Sequence, residues 1–276
     1  MTNQLQKTPQ RSLQSYLRSS VVKDELIASV GQSRANTVVA SLMSLVNNNI
    51  VLQECEPKTV FAAALTAASL DLPINPSLGQ AYIIPFNNKV KDGTDSKGKA
   101  IYRWVKQAQF QMGYKGFIQL CLRSGKYELI HVNDVRDGEY KGMDRMTGEH
   151  RFEFIDDDEK RAQQAVIGYV AFIKLTTGFH KSLYMTNDEL LAHAKKYSKS
   201  YQNGYGMWVD DFDAMAKKTV LKLLIDKWGI KTSQIEKAMI ADQAELDEEG
   251  NASYVDNKDG KAYVEVEPTE DETPEK

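Results

Sequence analysis

Apolar residues recur along the chain with two different periods, and the period within each stretch predicts the element it forms. Val22 to Val30 is a short amphipathic segment that ends at Gly31. Val38, Leu42, Leu45 and Val46 then recur at steps of three and four, which predicts a helix. Another helix is predicted from Pro57, a residue suited to a first helical turn, through TVFAAALTAASLDL, whose alanines allow close packing. Pro73, Pro76 and Gly79 in LPINPSLGQ predict a rigid connection into a strand, QAYIIPF (80–86). In IYRWVKQAQFQM (101–112) the period changes to two: Tyr102, Trp104, Ala108, Phe110 and Met112 alternate with Arg103, Val105, Gln107, Gln109 and Gln111. The helical period returns in GYKGFIQLCLRSG, where Phe117, Ile118, Leu120 and Cys121 form an apolar face and Lys115, Gln119 and Arg123 an opposite polar stripe. Residues 126–185 are rich in strand patterns, including YELIHV, HRFEFI and the pair AVIGYVAFIKL and FHKSLYM around TTG. Two helices close the body, one opening at the capping box Thr186-Asn187-Asp188-Glu189, the other running through DFDAMAKKTVLKLLIDKW.

The order helices, sheet, helix, sheet, helices predicts an α+β fold, with an antiparallel sheet and a long hairpin flanked by helices. Three regions follow. Residues 1–56 form an N-terminal helical segment, polar and frayed over the first twenty residues; 57–241 form the core; and 242–276, where periodicity is lost, form a disordered acidic tail. Between the two long strands lies DGTDSKGKA, with G-x-x-x-x-G-K from Gly93 to Lys99. A phosphate-binding loop needs Ser or Thr after the lysine, a buried strand before it and a helix after it. Ala100, the polar NNKVKDG and the alternating IYRWVK supply none of these, so the stretch is read as a hairpin tip.

Charge changes the picture more than composition does. From Asp242 to Lys276 there are 13 acidic and 3 basic residues, a net of −10; the other 241 residues hold 25 acidic and 32 basic, a net of +7. A basic body with an acidic tail points to a polyanionic partner for the body and a solvating or docking role for the tail. No run of about eighteen apolar residues occurs, so no membrane contact is expected, and the N-terminus lacks the apolar core of a secretion signal. Cys55 and Cys121 lie in apolar sequence and are expected to be buried free thiols.

The four histidines, His131, His150, His180 and His193, form no metal-binding motif. Asp210, Asp211 and Asp213 could hold Mg²⁺ as nuclease carboxylates do, but Asp211 is also placed to cap the next helix. A Mg²⁺-dependent nuclease is therefore the rival reading. Three basic groups suit nucleic acid better. The first combines Arg103, Lys106, Gln107, Gln109 and Gln111 on the second strand with Tyr114, Lys115, Gln119 and Arg123 on the following helix; its polar face fits either a groove floor or a plain solvated surface. The second interleaves Lys195, Lys196 and Lys199 with Tyr197, Tyr201, Tyr205 and Trp208, cations for phosphates and rings for bases, with Tyr197 on the apolar side of its helix beside Leu190 and Ala194. The third, Lys217, Lys218 and Lys222, is assigned to the polar side of the last helix.

LDLPINPSLGQAYIIPF, then AQFQMGYKGFIQLCLRSG, and later MWVDDFDAMAKKTVLKLL, in that order between Thr59 and Lys227, resemble the RecT family of phage and prophage single-strand annealing proteins. The resemblance implies binding of single-stranded DNA, assembly into rings or helical filaments, and annealing of complementary strands to a duplex without ATP or any cofactor. It implies a 5′-to-3′ phage exonuclease and the host single-strand binding protein as partners, in the cytoplasm of a bacterial host. A passive coating protein would bind the strand without pairing it. Lys115, the glutamines of AQFQM, Lys217 and Lys218 carry the family motif positions implied to touch DNA.

Overall fold

The computed structural model describes residues 13–95, 98–242, 244–246 and 252–254. Five helices come first: α1 (Leu13–Leu17), α2 (Ser20–Val30), α3 (Gln32–Asn47), α4 (Ile50–Gln53) and α5 (Pro57–Ser69). The polar start of the chain was expected to fray, yet α1 buries Leu13 and Leu17 and sets Tyr16 edge-on to Phe61, 6.4 Å between ring centres. Residues 1–12 lie outside the described part. The alanine helix α5 packs as its composition predicts, burying Val60, Phe61, Ala63, Ala64, Ala67 and Ala68. Just past its end, Asp71 adopts φ 55°, the only non-glycine described with positive φ. Its carboxylate accepts from Arg34 of α3 at 2.6 Å and from Arg123 at 2.9 Å. The same arginines donate to the Ala68 and Leu70 carbonyls at the end of the helix.

After a 3₁₀ turn at Pro76–Leu78, strands β1 (Ala81–Thr94) and β2 (Ala100–Met112) pair antiparallel. The stretch resembling a phosphate loop is the tip of this hairpin, closed by the pair Thr94 and Ala100; Ser96 and Lys97 lie outside the described residues. One face carries Ala81, Ile83, Ala108, Phe110 and Met112 into the core. Pro85 pairs with Ala108, whose N–H points away from β1 to the Thr59 hydroxyl at 2.9 Å. Proline thus occupies a pair that needs no donor from it. The outer edge of β2 is covered at two further points: Glu56 N–H donates to the Lys106 carbonyl, and Met112 N–H donates to the Asp242 carboxylate at 2.9 Å. An edge so occupied does not template a foreign strand.

Helix α6 (Tyr114–Arg123) leads into β3 (Tyr127–Arg136), a short ribbon β4 (Tyr140–Met143) and β5 (His150–Phe152), helix α7 (Asp158–Ala162), and the hairpin β6 (Val166–Leu175) and β7 (His180–Thr186). The second sheet is antiparallel in the order β3-β6-β7. Then come α8 (Asn187–Tyr197), α9 (Lys199–Gln202), α10 (Met207–Asp210), α11 (Phe212–Trp228), α12 (Ser233–Ala241) and the ribbon β8 (Ala244–Leu246) and β9 (Ala252–Tyr254). The capping box of α8 is fully formed. Tyr169, Ala171, Ile173 and Leu175 of β6 face the core, where Val220, Leu221, Leu224 and Ile225 of α11 join them. One cluster of buried side chains runs from α1 to α12 and includes both cysteines. Burial pushes the Cys121 thiol up to about 12, so it stays protonated. The architecture is α+β, as the order of elements predicts.

Candidate nucleic-acid interface

The segment GYKG is where the hairpin meets α6. A Cβ on Gly113 would lie 2.1 Å from the Gly79 carbonyl oxygen, and one on Gly116 2.3 Å from that of Gln80. Only hydrogen fits in either place. Gly113 N–H also donates to the Gln80 carbonyl at 3.0 Å, extending the hairpin ladder into the turn. The two glycines therefore seat the first turn of α6 directly on the connection that precedes β1. Lys115, between them, is exposed; its stem runs beside Gly79, where the Tyr82 hydroxyl also lies. Burial raises the Tyr82 pKa, with smaller contributions from Asp211 and Tyr114. Tyr82, Tyr114, Lys115 and the start of α11 are thus neighbours. Gln119 is exposed one turn beyond Lys115. A helix N-terminus bearing a free-standing lysine suits an oxyanion.

The glutamines do share one face of β2, alternating with the core residues. Gln111 sits opposite Tyr82, Gln109 opposite Ile84 and Gln107 opposite Phe86. Their exposure differs from the expected open floor. Gln107 is buried, donating to Glu56 at 3.1 Å and accepting from Asn88 at 2.8 Å, so it ties α5 to the hairpin. Gln109 is 5% exposed, and its Nε2 has no hydrogen-bond partner among the described residues. Gln111 remains half-buried. Arg103 lies 3.3 Å from Asp92 and 3.9 Å from Glu56, and Lys106 pairs with Glu54. Such exposed pairs are weak enough to exchange partners with a phosphate.

Two expected contacts belong elsewhere. Arg123 shares the face of Lys115 but fastens the end of α5, as described above. The third basic group is corrected more sharply. Lys218 is 5% exposed, and its ammonium donates to Asp242 at 2.8 Å; Lys222 donates to the same carboxylate at 3.0 Å. Burial alone would raise the Asp242 pKa, but Lys218, Lys222 and the Met112 N–H outweigh it and bring it down to about 2. Lys217 pairs with Asp213 at 2.7 Å. Helix α11 is therefore largely an interior helix: Lys217, Lys218 and Lys222 each hold a carboxylate rather than forming an open cationic side, and only Lys227 in the last turn is exposed. Asp242, which composition places in the acidic tail, is wholly buried. The rest of the expected acidic tail lies outside the described residues, the short strands β8 and β9 apart.

Lys195, Lys196 and Lys199 are exposed on α8 and α9, with Lys196 4.8 Å above the Tyr197 ring. Tyr201 packs against the core, Tyr205 is exposed, and Trp208 is buried against Phe212. The Asp211 carboxylate accepts from Ala214 N–H at 3.1 Å, which is the capping role, and Asp213 holds Lys217. Among the described residues no group of three His, Cys, Asp or Glu side chains is placed to hold a metal ion. No described helix is long and apolar enough to cross a membrane.

Sequence reasoning passed over one feature. Tyr102 and Trp104 continue the core-facing side of β2, but the hairpin extends past the body there, and Trp104 is 71% exposed. Alternation identified the strand; only the length of the hairpin beyond its support reveals rings on an arm.

The sequence profile of the RecT family matches residues 36–256. An uncharacterized protein of Bacillus subtilis, YqaK, is 40% identical over 242 residues, covering 87% of this chain and 75% of its own. Protein RecT of Escherichia coli is 26% identical over 238 residues, covering 84% of this chain and 80% of its own.

Proposed function

The chain belongs to the RecT family, and on that premise we propose that it works as an oligomer that pairs complementary single strands of DNA without ATP. The family is one of single-strand annealing proteins of recombination. The observation that carries the reading is the seat made by Gly113 and Gly116. It fixes Lys115 and Tyr114 at a helix N-terminus beside Tyr82 and Gln111, a rigid polar corner that can hold a sugar–phosphate backbone. The exchangeable charges of Arg103 and Lys106 extend that corner along the hairpin. Lys195, Lys196 and Lys199 supply further cations. Tyr102, Trp104 and Tyr205 offer faces on which bases of any identity stack, each contributing ~1–3 kcal/mol.

Contacts of this kind go to the backbone, so base edges stay open and pairing supplies the sequence specificity. The N-terminal helices are the proposed protomer contact, because Val21, Ile50 and Val51 stand exposed there. A 5′-to-3′ exonuclease and the host single-strand binding protein are the proposed partners, in the bacterial cytoplasm. The nuclease alternative loses support, since Asp211 caps α11 and Asp213 holds Lys217.

The test is a two-oligonucleotide annealing assay with labelled complementary strands, with and without ATP and Mg²⁺. Faster duplex formation in both conditions with strands of unchanged length supports the proposal. Binding without acceleration would make the protein a passive coat, and shortened strands would make it a nuclease.

A further inference from the structure

The acidic end of the chain is fastened beside the cationic corner. Asp242 is wholly buried, and its carboxylate accepts from Met112 N–H and from the ammonium groups of Lys218 and Lys222. Helix α12, just before it, lies against β2 and α6, and β8, just after it, lies against β2. Met112 is followed directly by the GYKG turn that holds Lys115, so the chain leaves the core where the hairpin gives way to α6. The ribbon of β8 and β9 carries it on to Tyr254. Residues 255–276, outside the described part, then hold eight acidic and three basic residues, a net of −5. The interior lysines have carboxylates built in for them. Lys115, Lys195, Lys196 and Lys199 are exposed and form no ion pair with another described residue.

Reach does not limit what such a segment can touch. Fully extended, 22 residues span about 70 Å, against a radius of gyration of about 18 Å for a compact domain of this size. Attachment and charge decide instead. A tethered segment meets nearby cations at an effective concentration in the millimolar range, so carboxylate contacts that are individually weak in water act together at the corner beside which it is tied. We propose that residues 255–276 occupy the cationic corner of the free protein as an intramolecular substitute for a phosphate backbone, an autoinhibitory contact that single-stranded DNA displaces. The inference rests on the reading of that corner as the DNA site. DNA prevails because its phosphates are more closely spaced and release condensed counterions when neutralised, which scattered carboxylates do not. The device favours a strand long enough to displace the segments of several protomers together over short or incidental polyanions.

The test compares three proteins: the full chain, the chain stopped after Tyr254, and a full-length variant with Glu265, Glu267, Glu270, Glu272 and Glu275 changed to Gln and Asp271 to Asn. The shortened chain keeps Asp242 and both strands of the ribbon. Binding of labelled oligothymidylate is read by anisotropy over a range of salt. Both variants should bind roughly three- to tenfold more tightly than the full chain at about 50 mM salt, and the gain should vanish near 0.5 M, where exposed charges are screened within about 4 Å. A carbodiimide, which joins touching carboxylates and amines without a spacer, should link residues 255–276 of the DNA-free full chain to Lys115, Lys195, Lys196 or Lys199, as mapped by mass spectrometry. Bound oligothymidylate should suppress those links. Equal affinities at low salt, links confined to other lysines, or links indifferent to oligothymidylate would each overturn the proposal. If none of the three proteins binds oligothymidylate, the annealing reading falls and this inference with it; if all three bind and anneal alike, the inference alone falls.

Discussion

Lys115 stands between two glycines that cannot carry a side chain without moving the backbone opposite them. This makes separate predictions for the lysine and its neighbours. Lys115→Ala removes a cation and leaves the seat intact. Its folding stability should therefore equal wild type, while the log–log salt dependence of oligonucleotide binding flattens by about 0.7 for one lost phosphate contact. Titrations at several salt concentrations decide this, and an unchanged slope would remove Lys115 from the interface. Gly116→Ala has the opposite signature. The new methyl group meets the Gln80 carbonyl, so a loss of about 1–3 kcal/mol is expected in urea denaturation. Lys115 was legible in the sequence because an exposed lysine on a polar stripe follows from helical period alone. The burial of Gln107 and Gln109 was not, because alternation says which residues share a face but not what covers it. Glu56, which holds Gln107, lies 51 positions away.

At the level of elements, α11 shows how far a local pattern can mislead. The pair AKK reads as the polar side of an amphipathic helix, yet Lys218 reaches its counter-ion 24 residues later, across the junction with β2. No periodicity spans that distance. The hairpin and the capping box of α8 were legible because their determinants are neighbours in sequence. The buried cluster of Lys218, Lys222 and Asp242 makes a prediction of its own. Asp242→Ala strands a buried ammonium and the Met112 N–H, and should cost about 3–5 kcal/mol. The effect has a definite pH dependence. The folded carboxylate titrates at about 2, below the ordinary value near 4 of an unfolded chain. Its contribution is therefore fully present above about pH 4 and is lost as pH falls through about 2. The stability gap between wild type and Asp242→Asn should accordingly be flat from neutrality to about pH 4 and narrow below it. A gap that widened on acidification would contradict the arrangement.

For the whole molecule, the sequence divides into a helical start, a basic body and an acidic end, and the fold joins them more tightly than composition does. Arg34 of α3 and Arg123 of α6 share Asp71, and the leucines of α1 to α4 lie in the same buried cluster as the sheets. A surface is nonetheless left over at the N-terminal end, where Ile50 is 74% exposed beside Val51. Ile50→Asp should leave the thermal transition of the protomer in place and reduce the assembly seen by light scattering on long single strands. If assembly were unaltered, the protomer contact would lie elsewhere. The division at residue 242 has a practical side as well. An investigator who trims the C-terminus to learn what its carboxylates recruit would naturally place the scissors where the acidic run begins. That cut removes Asp242, and a recombination defect would then reflect a damaged scaffold while masquerading as a lost interaction. A stop codon placed after Leu246 avoids the confusion.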